Sequence, residues 1–372
     1  MRKIKTNWQR KQYGIQMGAG DASRLNNLRF ADDLLIVGRT QAQVATMLSD
    51  LHAAASEFGL MLHPDKTKIM TNATRKSGRG NSQHVLVGDM QISILPFDGD
   101  LKYLGRKLCF QDSQEVEVQN RIRAGWAKFM SHRQELTSKS YTLDSRLRLF
   151  DAVVSPTVLY GAATWTLTKG HEHILQRTQR RMLRMILGSG RRRQNLNTSV
   201  QDNDEHDTAN EPADDPDLDC DVDSNVGELL ENQLEDISEE DALEPWADWI
   251  KRVTHRVEEQ VRKLNLQSWV VKARAAKWKW AFRVANHDAN RWTRQVLDWD
   301  PELLFDGPRS RAQRKRGRPQ LRWIDDIVQF TQYRHNILQW QQLATNAASW
   351  DELSDDFCNE SWRNMPNSTQ LI

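Results

Sequence analysis

The chain has 372 residues, 38% hydrophobic and 27% charged, with 14 Trp and a formal net charge of +2; its mean hydropathy is −0.72. That length suits two or three modest domains, each with its own core. The three cysteines, Cys109, Cys220 and Cys358, lie far apart with no CxxC pairing, which argues against a disulfide framework or zinc finger and for a reducing compartment. The basic start has no apolar stretch behind it, and no run approaches the roughly 18 apolar residues of a membrane span. An intracellular protein, nuclear or cytoplasmic, neither secreted nor membrane-bound, is expected.

The small net charge averages over a strong asymmetry. From Gln194 to Ile250 there is no Lys or Arg, while Asp and Glu crowd Asp202 to Glu244. Both flanks are basic: Arg177, Arg180, Arg181, Arg184 and Arg191 to Arg193 before it, Lys272, Arg274, Lys277, Lys279 and the cluster Arg309 to Arg318 after it. Such a pattern reads as an acidic solvated insert between regions that face polyanions.

In chain order, Leu28-Arg-Phe-Ala-Asp-Asp-Leu-Leu-Ile-Val37 is two short apolar runs around an Ala-Asp-Asp turn, a β-hairpin pattern. Thr40 then caps a helix with Val44, Met47, Leu48, Leu51, Ala55 and Phe58 at helical spacing, and Gly59 stops it. A short strand over Leu60-Met-Leu-His63 is expected, then a turn from Pro64 into a strand reaching Met70. A Gly/Ser/Asn-rich loop spans Lys76 to Gln83, a hairpin turns at Gly88-Asp89, and Leu101-Lys-Tyr-Leu-Gly105 reads as one more strand. From about 115 to 188 the periodicity is helical: Val118, Ile122, Trp126 and Phe129; then Leu143, Leu147, Phe150 and Val154, stopped before Pro156; then Ile174, Thr178, Met182, Met185 and Ile186. The acidic stretch 194–244 has no periodicity and is expected to be disordered. A helical region from about 246 to 300 precedes a Gly/Pro/Arg loop and terminal helices containing Trp323, Trp340, Trp350 and Trp362.

Phe30-Ala31-Asp32-Asp33 carries the chemical content. Burying two adjacent unpaired carboxylates is prohibitive, whereas a hairpin tip exposes and holds them. Mg²⁺ takes oxygen ligands of this kind, and paired ions clamped by carboxylates drive phosphoryl transfer. A plain Asp-rich turn is the competing reading of the tetrapeptide alone.

With its surroundings, the chain resembles the reverse transcriptases of non-LTR (LINE-type) retrotransposons. Leu25-Asn-Asn-Leu-Arg-Phe-Ala-Asp-Asp-Leu34 is similar to palm motif C, and Phe58-Gly-Leu-Met-Leu-His-Pro-Asp-Lys-Thr-Lys-Ile-Met70 to motif D. Leu101-Lys-Tyr-Leu-Gly105 resembles the motif E strand of the primer grip. Leu159-Tyr-Gly-Ala-Ala-Thr-Trp-Thr-Leu-Thr168 through Arg181-Met-Leu-Arg-Met-Ile-Leu-Gly188 looks like the thumb and connection. Asp288-Ala-Asn-Arg-Trp-Thr293, Gly317-Arg-Pro-Gln-Leu-Arg-Trp-Ile-Asp-Asp326 and Trp350-Asp-Glu-Leu resemble the C-terminal region of these elements.

The resemblance implies an α+β fold: a partial palm over 1–112, a helical thumb over 113–190, an acidic disordered linker over 191–245 and a Trp-rich basic helical domain over 246–372. It implies an RNA-directed DNA polymerase, with Mg²⁺ on Asp32 and Asp33 and with an RNA template and DNA primer as partners. Lys66, or alternatively Lys68, would face the departing pyrophosphate, and Tyr103, Leu104 and Gly105 would touch the primer backbone. Lys66 as a solvated lysine and Tyr103 as a core aromatic are the plain alternatives. The motif A aspartate is not found: about 30 residues precede Phe30, and Asp21 is the sole upstream acid. The motif B glycine loop and fingers are likewise not found. The chain alone is therefore expected to be inactive, needing the N-terminal part of the element, and the alternative function is a non-catalytic nucleic-acid-binding remnant.

Two further stretches bear on nucleic acid. Trp269 to Arg283 interleaves aromatics with Lys277 and Lys279, either as an amphipathic helix packing Trp269, Ala273, Ala276 and Trp280 inward or as a binding surface. Arg309 to Gln320, with Arg314, Lys315, Arg316 and Arg318, could enter an A·T minor groove, or be a solvated loop or nuclear-import signal. With Arg177, Arg181 and Arg184 these cations are the candidate phosphate contacts. His171-Glu-His173 lacks metal-ligand spacing.

Overall fold

The computed structural model describes residues 2–17, 24–72, 84–96, 98–110, 112–192, 243–297 and 321–359. Nearly all of the acidic linker, the loop around 76–83, Asp21, Arg309 to Gln320 and Trp362 lie outside the described residues. The fold is α+β, and it divides into two units. One comprises Met1–Arg121, Leu159–His171 and Val271–Ile372; the other comprises Ile122–Val158 and Glu172–Val270.

The first unit begins with a helix the sequence reading missed, α1 (Arg2–Arg10). Ile4 and Trp8, one turn apart, give it an inward face; Trp8 is fully buried and its indole N–H donates to Asp50 at 3.0 Å. Strands β1 (Ile15–Gln16) and β2 (Arg24–Leu25) pair, and β3 (Asn27–Phe30) and β4 (Asp33–Ile36) form the expected hairpin, with Phe30 opposite Asp33. Helix α2 (Gln41–Ser56) starts at Thr40, whose hydroxyl accepts from Gln43 N–H at 3.1 Å, as an N-cap should. Gly59 turns the chain out of α2 at φ +71°, and Leu60 N–H returns to Ala55 O.

No strand forms over Leu60–His63. Leu60 and Met61 are exposed, and only Leu62 packs on the α2 core, so the segment lacks the alternate-face burial that would hold a strand. Strands β5 (Lys68–Ile69), β6 (His84–Val87) and β7 (Met90–Ile94) make a sheet ordered β5-β7-β6, its β5–β7 pair parallel. Val85, Val87, Ile92 and Ile69 bury against Leu48 of α2. The Leu101–Gly105 segment is half of a hairpin, β8 (Leu101–Tyr103) with β9 (Arg106–Leu108), and Leu104-Gly105 is its turn.

The same unit contains a 3₁₀ turn at Ala162–Thr164, helix α8 (Trp269–Ala285) from Val271 onward, and short helices α9 (Trp292–Leu297), α10 (Asp325–Gln329), α11 (Trp340–Leu343), α12 (Ala347–Glu352) and α13 (Ser354–Cys358). Trp278, Ala281, Ile327, Phe330, Trp340, Trp350 and Phe357 form a core there. From α8 this core takes Trp278 and Ala281; Trp269 and Ala273 are buried as well, while Ala276 and Trp280 are only partly covered. Burial pushes the Cys358 thiol up to about 11, which keeps it protonated and unreactive.

The second unit contains the C-terminal part of α3 (Ser113–Ser131), α4 (Arg133–Thr137), α5 (Leu143–Val158), most of α6 (Lys169–Leu187) and α7 (Trp246–Lys263). Helix α5 runs through Pro156 rather than stopping before it. The proline removes one late hydrogen bond, while Val154 and Val158 on either side are fully buried; packing holds the last turn helical. Phe150 stacks on Trp269 at 5.8 Å, and the Trp269 indole donates to Ser155 Oγ at 2.8 Å. Gly125 is required where α3 meets α5, because a Cβ there would lie 2.3 Å from Val158. Residues 192 and 244 meet directly: Glu244 N–H donates to Arg192 O at 2.8 Å, and the Glu244 carboxylate bonds the Arg252 guanidinium at 2.8 Å.

Candidate functional site

The hairpin tip consists of Ala31 and Asp32, flanked by Phe30 and Asp33. Ala31 takes φ +51°, a left-handed conformation that costs an alanine about 1 kcal/mol. The tight turn projects both carboxylates into solvent, with Phe30 65% exposed beside them. Among the described residues no group of three His, Cys, Asp or Glu could hold a metal ion. Asp32 and Asp33 supply hard oxygen donors of the right chemistry, but two carboxylates on one tip do not close a two-ion centre, and no metal-dependent step is derived from them.

Lys66 sits exposed in the turn before β5, while its neighbour Lys68 donates to Ser93 Oγ at 3.1 Å. Tyr103 ends β8, immediately ahead of the Leu104-Gly105 turn. Burial, and secondarily the Asp33 carboxylate, push its phenol above the ordinary value of 10.0.

That turn is tied down from two other segments. Leu104 (φ +48°) and Gly105 (φ +78°) are both left-handed, as a two-residue hairpin turn of this type demands. Tyr160 Oη donates to Leu104 O at 2.9 Å, and its ring lies 3.4 Å from where a Gly105 Cβ would be. Arg121 donates to Gly105 O and places its guanidinium 5.1 Å from the Tyr160 ring centre. Glu117, whose side chain is 1% exposed, accepts from Lys107 N–H at 2.8 Å and pairs with Arg121 (3.1 Å) and Arg106 (3.4 Å). Arg106 also reaches Thr164 Oγ1. Sequence reasoning missed Glu117, Arg121 and Tyr160 as site residues. A glutamate beside Val118 in an apolar stripe was a signal, since a buried carboxylate must find cationic partners.

The candidate cations divide by environment. Arg181 stacks over Trp126 at 5.4 Å and Arg184 contacts Thr254 Oγ1 at 3.5 Å; Arg177 is half-buried on the same helix. Lys277 is buried, its ammonium 2.8 Å from Asp326 and 5.3 Å from the Trp323 ring centre. Lys279 is exposed. Arg314, Lys315, Arg316 and Arg318 lie outside the described residues. His171 accepts from Thr168 N–H at Nδ1 and donates from Nε2 to the Glu115 carboxylate, 2.8 Å away. No helix among the described residues is long and apolar enough to cross a membrane.

Over 334 residues the chain is 26% identical to an uncharacterized transposon-derived protein of Caenorhabditis elegans, covering 88% of this chain and 94% of that protein. That likeness supports a transposon-derived origin. No family model and no solved structure matches the chain. The shared stretch covers most of the chain and not one short motif.

Proposed function

We propose that this chain is a portion of a non-LTR retrotransposon reverse transcriptase, running from the carboxylate hairpin through the thumb and the C-terminal region, and that on its own it binds nucleic acid without extending a primer. The observation that carries the reading is the exposed Asp32 and Asp33 pair at the tip of the β3–β4 hairpin, the carboxylate turn such an enzyme requires. A polymerase palm needs a carboxylate turn and a primer-contacting turn, and the β3–β4 and β8–β9 hairpins are the segments that would supply them. The transposon-derived relative supports the same origin.

The chemistry limits what the chain does alone. Asp32 and Asp33 would each offer oxygens to Mg²⁺, but aligned phosphoryl transfer needs a further carboxylate to complete the ion pair. Exposed Lys66 and Lys279 remain suited to phosphate contacts, whereas Lys277 is neutralised by Asp326. The test is primer extension on an RNA template with a DNA primer and Mg²⁺, run beside heteroduplex binding. The reading expects salt-sensitive binding and no extension. Binding that ignores salt, or that treats heteroduplex no differently from an unstructured polyanion, sinks it. Extension abolished by Asp32→Asn with Asp33→Asn would overturn the claim of inactivity and reveal a completed metal site.

A further inference from the structure

We propose that the acidic segment 194–242 docks on the basic surface of the α6–α7 helix pair of its own chain; the proposal does not depend on the polymerase reading above. Arg180 meets Glu258 at 3.7 Å and Arg184 meets Thr254 Oγ1 at 3.5 Å, so α6 and α7 lie side by side in opposite directions. The segment leaves and re-enters this pair at one end. There Glu244 N–H donates to Arg192 O and Arg191 Nε donates to Glu244 O, both at 2.8 Å. Arg252 reaches Gly190 O as well as the Glu244 carboxylate, and Arg256 reaches Ser189 Oγ.

Charge decides the occupant. The described residues of the second unit, 122–158, 172–192 and 243–270, hold 17 Lys and Arg against 8 Asp and Glu. Residues 194–242 hold 18 Asp and Glu and no Lys or Arg. Where the segment joins the helices, Arg192, Lys251 and Arg256 are exposed. Lys251 lies 3.9 Å from an exposed Asp248, and the Arg180–Glu258 pair is half-exposed. Exposed ion pairs of that length are weak, so the surface keeps a positive potential that attracts a polyanion. With both of its ends held at that surface, the segment is present there at on the order of millimolar concentration, whereas any other polyanion has to arrive from solution.

The experiment compares the full chain with a variant whose residues 194–242 are replaced by a Gly/Ser connector, each titrated with a fluorescent synthetic peptide of residues 194–242. The connector variant should bind the peptide about four-fold more tightly than the wild type, whose own segment competes for the surface. Binding to both should weaken as salt rises. A second variant, with the 18 carboxylates of the segment changed to Asn and Gln, keeps the length and should behave like the connector variant. In the connector variant, Arg192→Gln with Arg256→Gln should weaken peptide binding about ten-fold without moving the melting temperature. Equal peptide binding by wild type and connector variant overturns the occupancy, because the surface would then be open in the native chain. Wild-type behaviour of the neutralised segment means that bulk, not charge, excludes the peptide, and overturns the electrostatic docking. Peptide binding that ignores the two arginine substitutions overturns the assigned surface. A connector variant that takes an RNA–DNA heteroduplex and refuses the peptide overturns the proposal and gives the surface to nucleic acid.

Discussion

Trp278 and Trp350 stack with ring centroids 3.8 Å apart at 12°, and each indole N–H donates to the other's carbonyl, at 3.0 and 3.3 Å. Two polar handles are thereby satisfied inside an apolar core, as buried tryptophans require. Trp350→Ala is expected to destabilise the first unit by about 3–5 kcal/mol, and Trp350→Phe by about 1–2 kcal/mol, mostly through loss of the indole donor to Trp278 O. Urea unfolding followed by tryptophan fluorescence checks the order; equal losses would mean that the ring volume phenylalanine keeps contributes nothing and the indole N–H decides.

Lys277 and Lys279 are two residues apart and do different work. Lys277 is buried against Asp326, so Asp326→Ala strands a buried ammonium and should cost about 3–5 kcal/mol. Lys279→Ala should leave the melting temperature alone and reduce the salt slope of nucleic-acid binding by about one. A melting change for Lys279→Ala, or none for Asp326→Ala, would reverse this assignment.

Glu244 gathers Arg252, the Arg192 amide and the chain on both sides of residues 193–242. Chiefly the hydrogen bond from Arg252 holds its carboxyl below the ordinary 4.5. A depressed folded value contributes stability that is present above the unfolded value and lost as pH falls through the folded one. Acid unfolding of Glu244→Gln should therefore lack part of the wild type's stability loss below about pH 4.5. Because residues 192 and 244 already meet, replacing 193–242 by a short Gly/Ser connector should change the stability of the second unit by less than about 1 kcal/mol. A large loss on that replacement would show that residues 193–242 contribute to folding.

The Tyr103 phenol is raised first by burial and second by Asp33. A raised folded value contributes stability that is complete below the unfolded value and lost as pH climbs through the folded one, so this contribution fades above about pH 10. Asp33→Asn removes one cause and leaves the other. The latest tyrosine in an alkaline absorbance titration should move down without reaching its ordinary value. No movement would show that the Asp33 carboxylate does not act on the Tyr103 phenol.

Local chemistry was legible from residue order alone. The Phe30–Asp33 tip, the Thr40 cap, the Gly59 stop and the Gly88-Asp89 hairpin each depend on a few neighbouring residues, and the structure has all four. Leu60–His63 and Pro156 went otherwise, because burial on one face decided whether a short segment became a strand or stayed helical. What residue order could not show is partnership. Lys277 looks like any cation in a basic stretch until Asp326 is brought to it, and Tyr160 like any helix-end aromatic until Leu104 O meets its hydroxyl. Periodicity and capping are properties of one segment, whereas the partner of a charged or polar side chain depends on which distant segment the packed core delivers. The sequence by itself therefore determined the carboxylate tip and the elements around it; only the tertiary structure decided which cations are paired and which residues hold the Leu104-Gly105 turn.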